Sequence, residues 1–450
     1  MAFARVTLTT IVLAVGGAAA AAAAAQSPPT GGAPPPTSST QTATAPTSST
    51  PAPAAPSAAL RLLDRSLNKG MQQAGSQSSA YVIDLKTGDV LYSRRAGVGR
   101  LPASVEKLYT TTTALQRFGP GARLTTAVLG SGRPIGGTYS GTLYLRGGGD
   151  PTFGSTAFDN AYYGPGRAAT IQQLVANLVR ATRMRALSGR VVADESLFDS
   201  DRGTPATGNR PSIYVEGELS ALSFDRGWSS SSGTAYFRHP ALQAGNGLVA
   251  ALRGAGIRVS RRTTVRAGAT PPGAITLATV QSPTIAQLVA MTNTPSDNFF
   301  AETLLKNLGA RFGGAGTTAA GAAIVRAQIA SKFGIKPRLN DGSGLSYYDR
   351  TSPIQVVTLL RAMAGDADFI GSLPVAGETG TLQDEMRGTY AEGRCRAKTG
   401  TLNAVSNMAG YCVARDGHTL AFALLMNGID PDYAHPIQDR MVVSLARYDG

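Results

Sequence analysis

Histidine, cysteine and tryptophan are scarce in this chain of 450 residues, which contains three, two and one of them. The histidines, His239, His418 and His435, show no metal-ligand spacing, which argues against a zinc hydrolase. The chain has no G-x-S-x-G pentapeptide, which argues against an α/β-hydrolase. It has no basic run interleaved with aromatic residues, so we expect no nucleic-acid partner. These absences favour a protein that uses neither a metal nor another cofactor.

The N-terminus has the features of an export signal. Residues 1–25 contain one basic residue, Arg5, then an apolar segment at 9–15 and an alanine run, which predicts a signal peptide cleaved near Ala25. The alternative is an uncleaved membrane anchor, which the short apolar stretch disfavours. Both interpretations predict an exported protein, in the cell wall or periplasmic space or secreted. No later stretch is apolar enough to cross a bilayer, so we expect no transmembrane segment in the mature body.

Residues 26–57 consist almost wholly of Pro, Ser, Thr, Ala and Gly, which predicts a disordered linker. The first 57 residues contribute only Arg5 to the net charge of +14, so the folded body is basic. A basic surface aids solubility and attracts polyanions. For an exported protein, anionic wall polymers are therefore a secondary candidate partner.

The two cysteines, Cys395 and Cys412, lie near the C-terminus, and an exported protein can oxidise them. If residues 394–413 form a hairpin that turns near Asn403, the two cysteines lie opposite each other. We then predict a disulfide bond between them. Two reduced, buried thiols are the alternative.

The pattern of apolar residues divides the body into three parts. Residues 58–121 predict a helix, a β-hairpin and a second helix, the start of an α/β body with an antiparallel sheet. Residues 122–280 predict short strands and two helices punctuated by Gly and Pro, which indicates an inserted domain, or two small ones. Residues 281–450 are predicted to complete the α/β body that residues 58–121 begin.

The third part contains most of the predicted helices. Ser282 predicts a helix cap with Pro283 as the first helical residue. A later helix is predicted to end at Gly309. The last elements are predicted as three strands and a helix, at 394–398, 405–413, 420–427 and 436–447.

Ser104 and Lys107 form the first candidate catalytic motif. Pro102 disfavours helix just before them, and an apolar-periodic run begins at Ser104, so we predict a helix that starts near this residue. Residues three apart lie on one face of a helix, and a neutral lysine there can take the serine proton and make the hydroxyl nucleophilic. The helix N-terminus adds a positive field where an attacked carbonyl becomes negative.

Two further motifs have matching chemistry. Ser296-Asp297-Asn298 is predicted in a loop between helices, where the Ser296 hydroxyl could relay a proton and the Asn298 amide could position the lysine and the substrate. Lys398-Thr399-Gly400-Thr401 is predicted at the end of a strand. Its ammonium and hydroxyl groups suit a substrate carboxylate, and Gly400 leaves room for a backbone approach.

Each motif has a competitor within the chain. Ser66-Leu67-Asn68-Lys69 fits both S-x-x-K and S-x-N, but a solvated helix face explains it. Lys86-Thr87-Gly88 fits K-T-G, but it lies in a predicted hairpin turn. The informative signal is therefore the ordered triple, with each member in a suitable structural context.

The triple is the serine-active signature of penicillin-interacting enzymes. With its flanking sequence, the chain resembles the serine D-alanyl-D-alanine carboxypeptidase/endopeptidase family, the low-molecular-mass class C penicillin-binding proteins of peptidase family S13. The resemblance covers nearly the whole body. Its further segments are Leu143–Pro151, Glu218–Asp225, Asn293–Asn298, Asp341–Ser346, Gly377–Leu382 and Lys398–Leu402.

The resemblance implies an α/β (α+β) fold: a transpeptidase/β-lactamase-like domain with a central antiparallel sheet flanked by helices, split by an inserted, mainly β domain. It implies that Ser104 attacks the carbonyl between two D-alanines, with Lys107 as base, and forms an acyl-enzyme. It implies that Ser296 and Asn298 relay the proton and position the groups. It implies that Lys398 and Thr399 hold the terminal carboxylate, and that Thr399, Gly400 and Thr401 bind the substrate. It implies that the backbone N–H groups of Ser104 and Thr401 form the oxyanion hole.

The implied partners are peptidoglycan stem peptides and β-lactam antibiotics, which mimic the D-Ala-D-Ala end. Two alternatives share the triple: a β-lactamase-like hydrolase, and a non-catalytic module that binds the wall or senses penicillin. We expect Asp341-Gly342-Ser343-Gly344 to be a turn that lines the cleft, outside the site. We expect Glu106 and Glu378 to be solvated or structural.

Overall fold

The computed structural model describes residues 57–450. The predicted signal peptide, and all of the predicted linker except its last residue, lie outside the described residues. Within residues 57–450, no helix combines the length and the apolar character that a bilayer crossing requires.

A five-stranded antiparallel sheet, here called the central sheet, forms the middle of the body. The predicted antiparallel sheet flanked by helices is thus confirmed. The Cys395–Leu402 strand lies at one edge of this sheet. In spatial order the strands are Val90–Arg94, Ser79–Asp84, Thr419–Asn427, Val405–Val413 and Cys395–Leu402.

Alternation along the buried strands directs side chains into two separate cores. Phe422 and Leu424 face a core formed with the Ala58–Gln73 and Pro431–Ala446 helices. Ala421 and Ala423 face the opposite core. That second core is closed by the helices Lys107–Phe118, Ile285–Asn293, Asn298–Phe312, Thr318–Phe333 and Pro353–Met363.

The inserted part of the chain has its own six-stranded sheet with parallel and antiparallel pairs. The helices Ile171–Thr182 and Pro240–Gly254 pack on it and share its apolar core. The boundaries at residues 122 and 280 stay a prediction. The strands are Arg123–Gly130, Thr138–Arg146, Ala186–Asp194, Arg258–Val259, Thr264–Ala267 and Ile275–Thr284.

The predicted helix cap at Ser282 is wrong. Ser282 and Pro283 lie in the Ile275–Thr284 strand, at the edge of the second sheet, where a proline removes no needed donor. The next helix is capped by Thr284, whose hydroxyl accepts the N–H of Gln287.

Two other predicted boundaries lie inside helices. Gly309 lies within the Asn298–Phe312 helix, where a Cβ would approach the Ala315 carbonyl oxygen to 2.6 Å, so glycine permits close packing of the following segment. Pro436 lies in the second turn of the Pro431–Ala446 helix, where the helix tolerates the loss of one hydrogen bond.

Candidate active site

Ser104 lies in a single 3₁₀ turn, Ala103–Glu106, that leads directly into the Lys107–Phe118 helix. The helix therefore begins three residues later than predicted. The turn still places the two side chains on one face, with Lys107 Nζ 2.8 Å from Ser104 Oγ. Ala103 adopts a left-handed φ of 46°, an uncommon conformation for a residue with a side chain. This strained turn presents Ser104 at the start of the helix.

Lys107 is fully buried and donates three hydrogen bonds. Besides Ser104 Oγ, its Nζ donates to Asn298 Oδ1 at 2.5 Å and to the Ser343 carbonyl oxygen at 2.9 Å. Burial lowers the pKa of Lys107 to about 8, although the carboxylates of Glu216 and Glu302 raise it. A lysine with this pKa has an appreciable neutral fraction near neutral pH, as a general base requires.

Ser296 and Asp297 lie in the predicted break between two helices, whereas Asn298 is the first residue of the Asn298–Phe312 helix. The structure brings Asn298 onto Lys107. Ser296 has a left-handed φ of 69°, and within residues 57–450 its hydroxyl makes no hydrogen bond. The structure therefore joins Asn298, but not Ser296, directly to the Ser104–Lys107 pair.

Gly400 brings the third motif against the nucleophile turn. A Cβ at Gly400 would lie 2.8 Å from the Pro102 carbonyl oxygen and 3.0 Å from the Ser104 nitrogen. These are backbone atoms, which cannot move aside cheaply. Only glycine therefore lets the Cys395–Leu402 strand lie this close to Ser104.

The side chains around Gly400 differ in solvent exposure. Lys398 is fully buried and donates from Nζ to the Thr399 carbonyl oxygen at 2.9 Å. Burial, with a smaller contribution from Lys107, lowers the pKa of Lys398 well below its ordinary value. The Thr399 hydroxyl is 2.8 Å from that of Thr381, and Thr401 is exposed.

Sequence reasoning missed two backbone contributions to the site. The Ser343 carbonyl, in the turn placed outside the site, accepts from Lys107. The Tyr214 carbonyl, in the inserted part of the chain, accepts the Asn298 side-chain amide at 2.7 Å. A missed side-chain contribution is the Glu216 carboxylate, which accepts the Asn298 backbone N–H at 3.1 Å. A backbone acceptor has no side-chain signature, so no motif could reveal it.

Glu106 and Glu378, both expected to be solvated or structural, lie in different environments. Glu378 is exposed. Glu106 is fully buried, so of the two expected alternatives the structure supports the structural one. The turn in which it lies packs beneath the Asp341–Gly344 segment, since a Cβ at Gly344 would meet the Ala103 carbonyl oxygen at 1.9 Å.

Cys395 and Cys412 are direct cross-strand partners in the central sheet, and the structure joins them by a disulfide bond. Both are fully buried in the core beside the Pro431–Ala446 helix. Cys395 begins the strand that carries Lys398 and Gly400. The bond therefore ties the start of that edge strand to its neighbour.

Replacing Gly400 by alanine is expected to lower the acylation rate about 10–100-fold, because the added Cβ pushes the strand away from Ser104 by a fraction of an ångström or more. Gly365→Ala is the matched control, since a Cβ there meets nothing within 4 Å. The measurement is the second-order rate of labelling by a fluorescent penicillin. Equal rates for the two variants would show that the close approach is unimportant.

Comparisons with known proteins agree with this geometry. The model of the D-Ala-D-Ala carboxypeptidase 3 (S13) family matches residues 61–234 and 206–448. A D-alanyl-D-alanine carboxypeptidase of Actinomadura sp. (strain R39) is 31% identical over 461 aligned positions, which cover 84% of this chain and 82% of the relative.

A solved structure shares the fold. Penicillin binding protein 4 of Haemophilus influenzae superposes with a TM-score of 0.70 at 19% identity, over 85% of this chain and 99% of the other. The same protein complexed with a β-lactam superposes with a TM-score of 0.67 at 19% identity, with the same coverage. The family resemblance in the motifs is confirmed: the chain belongs to the D-Ala-D-Ala carboxypeptidase 3 (S13) family and is a serine-type D-alanyl-D-alanine carboxypeptidase.

Proposed function

We propose that Ser104 is the nucleophile of this carboxypeptidase and Lys107 its general base, acting on the D-Ala-D-Ala end of peptidoglycan stem peptides. The observation that carries the proposal is the 2.8 Å contact between Lys107 Nζ and Ser104 Oγ. Neutral Lys107 takes the hydroxyl proton as Oγ attacks the carbonyl between the two D-alanines. The terminal D-alanine leaves as an amine, and an acyl-enzyme remains.

The departing amine needs the proton that Lys107 has taken. Ser296 is the proposed relay, because its hydroxyl has no hydrogen-bond partner among residues 57–450 and it lies two residues from Asn298, which contacts Lys107. Asn298 holds Lys107 through Oδ1 while its amide N–H bonds Tyr214. The amide is thereby oriented by the inserted part of the chain.

Lys398 and Thr399 are the proposed binding groups for the terminal carboxylate. Burial disfavours the charged form of Lys398 in the free enzyme, and an arriving carboxylate favours it. We expect Lys398 to take up a proton when the carboxylate binds, so that a charged pair forms only in the loaded site. Substrates without a free carboxylate would then bind weakly.

The proposed oxyanion hole consists of the backbone N–H groups of Ser104 and Thr401. On the open edge of the Cys395–Leu402 strand, the Ala397 N–H donates outward to Pro374. Backbone groups alternate sides along a strand, so the N–H groups of Thr399 and Thr401 also face this edge. Gly400 brings the same edge onto Ser104. Removal of one such donor costs about 10²–10³ in rate.

Water then attacks the acyl-enzyme and releases the shortened peptide. The same Ser104 is expected to open β-lactam rings and keep the acyl group, as the β-lactam complex of the Haemophilus relative suggests. We also propose that the enzyme cuts D-Ala cross-links, since that bond has the same acyl donor. An exported location in the cell wall or periplasm follows from this substrate, and anionic wall polymers are the proposed partners of the basic body.

Defined muropeptides test the proposal. The purified enzyme is expected to release D-alanine from a pentapeptide that ends in D-Ala-D-Ala, and not from one that ends in D-Ala-L-Ala, with products identified by mass spectrometry. A cross-linked dimer in the same assay measures the endopeptidase activity. Rapid penicillin turnover without D-alanine release would favour the β-lactamase-like alternative, and no reaction with either would favour a non-catalytic module.

A further inference from the structure

Three buried carboxyl groups meet beneath the nucleophile turn. Glu106, Asp341 and Asp349 are each at most 1% exposed. One oxygen from each lies within 4.8 Å of the others. Glu106 comes from the Ser104 turn, whereas the two aspartates come from the 341–349 loop. The cluster therefore joins the first catalytic motif to the loop whose Ser343 carbonyl accepts from Lys107.

The Oδ1 atoms of the two aspartates accept hydrogen bonds from N–H donors. Asp349 Oδ1 accepts the backbone and side-chain N–H groups of Asn340 at 2.7 and 2.9 Å, and Asp341 Oδ1 accepts the Gly344 N–H at 2.8 Å. In these bonds each Oδ1 is an acceptor, and together they fix the loop around the two aspartates.

The other four carboxyl oxygens of the cluster have no hydrogen-bond donor from any described residue. They are both oxygens of Glu106, Asp341 Oδ2 and Asp349 Oδ2. A buried acceptor without a donor is unfavourable, and buried polar groups in folded proteins are almost always paired. One oxygen of each of the three carboxyls lies within 4.8 Å of the others, and a carboxyl becomes a donor when it is protonated.

We propose that Glu106 is held as a neutral carboxylic acid that donates its proton to Asp349, and that this bond makes Glu106 a positioning residue for Lys107. The inference rests on the proposed role of Lys107 as the base. It goes beyond that role by giving a function to Glu106, one of the two residues between Ser104 and Lys107.

Packing links the bond to the base. The nucleophile turn and the helix that follows it already touch the 341–349 loop. Gly344 fits against Ala103 of the turn only because it lacks a Cβ, and the hydroxyl of Thr110, in the helix, donates to the Gly342 carbonyl at 3.2 Å. A Glu106–Asp349 bond joins the nucleophile turn to the same loop at a second point. Along the loop, Ser343 lies between Gly342 and Asp349, the residues that make these two contacts. It thereby sets the distance between Lys107 and the carbonyl that orients it.

The electrostatics agree with the neutral form. Burial raises the pKa of Glu106 well above its ordinary value, and the negative charges of Asp349, Asp341 and Glu302 raise it further. The next residue, Lys107, is basic and begins the helix that follows the turn. An ionised Glu106 would favour the protonated Lys107, which cannot accept the Ser104 proton.

Two variants of similar size separate the donor from the volume. Glu106→Gln keeps a donor toward Asp349, and Glu106→Leu removes it. We expect Glu106→Gln to be acylated by a fluorescent penicillin within about three-fold of the wild-type rate, and Glu106→Leu to be slower by about ten-fold or more, since small displacements of a base are costly. Equal rates for the two variants would overturn the inference.

The pH dependence of folding gives a second readout that does not require activity. Between the ordinary carboxyl pKa and the raised one, folded wild type holds a proton that the unfolded chain releases, so its stability falls as pH rises. Glu106→Gln lacks this loss. We expect the melting temperature of Glu106→Gln relative to wild type to increase from pH 5 to pH 8. A constant difference would overturn the inference.

A divalent cation is the competing occupant of the same three carboxyls. If calcium or magnesium raises the melting temperature of wild type and EDTA lowers it, while Glu106→Gln responds to neither, the cluster holds a metal and the shared proton is wrong. If wild type is not acylated at all, the proposed function fails, and the melting series still decides the inference about Glu106.

Discussion

Ser104→Ala is expected to abolish both D-alanine release and penicillin labelling, with a loss of about 10⁴-fold or more in turnover. Within the described part of the chain, the variant removes the only hydroxyl that is hydrogen-bonded to Lys107 Nζ. Without the nucleophile no acyl-enzyme can form, whatever the binding groups contribute. The measurement is release of D-alanine from a pentapeptide, together with gel fluorescence after exposure to labelled penicillin.

The chain provides a matched control for this variant. Ser66 lies in a second S-x-x-K sequence, in the Ala58–Gln73 helix, where its hydroxyl is 2.6 Å from that of Ser444. Ser66→Ala is expected to keep both reactions. If Ser104→Ala retains labelling, another residue is the nucleophile and the mechanism proposed above is wrong.

Lys107→Ala is expected to lower the acylation rate about 10²–10⁴-fold while Ser104 stays in place, because the serine then lacks a general base. For wild type, the rate is expected to rise with pH and level off above about 8. The sign follows from the role: only neutral Lys107 accepts a proton, burial lowers its pKa to about 8, and the neutral fraction grows as pH rises through that value.

The control for this variant is Lys69→Ala, which removes an exposed lysine at the same spacing from a serine. It is expected to keep the wild-type rate and pH profile. Circular dichroism checks that Lys107→Ala is folded, since the change leaves the Asn298 and Ser343 oxygens without their donor. A wild-type acylation rate that is constant from pH 6 to 9 would contradict the assignment of Lys107.

The sequence was most informative where local rules decide the structure. The spacing of Ser104 and Lys107 is a property of one helical turn, so their contact was predictable before any fold was known. The hairpin turn near Asn403 determines the register Leu402 to Val405, and the same register places Cys395 opposite Cys412. Both depend on residues close to each other along the chain.

Reasoning from sequence failed where tertiary contacts decide. Pro283 was placed at a helix start because proline favours that position, but the edge of the second sheet accommodates it equally well. For Glu106 the sequence leaves a solvated and a structural role open. The structure decides between them, because Glu106 is fully buried in a turn that packs against the 341–349 loop, more than 200 residues away in sequence.

In the candidate site, too, the sequence identifies some of the groups and only the fold identifies the others. The side chains of the three motifs could be named in advance, but the Ser343 and Tyr214 carbonyls could not, because any residue supplies a carbonyl. The fold alone determines which carbonyls lie near Lys107 and Asn298.

A direct test is to locate the acyl group. The enzyme is incubated with a penicillin, digested, and its peptides are sequenced by mass spectrometry. The account predicts a long-lived adduct on the Ser104 hydroxyl and on no other residue. An adduct on a different side chain, with Ser104 unmodified, would contradict it.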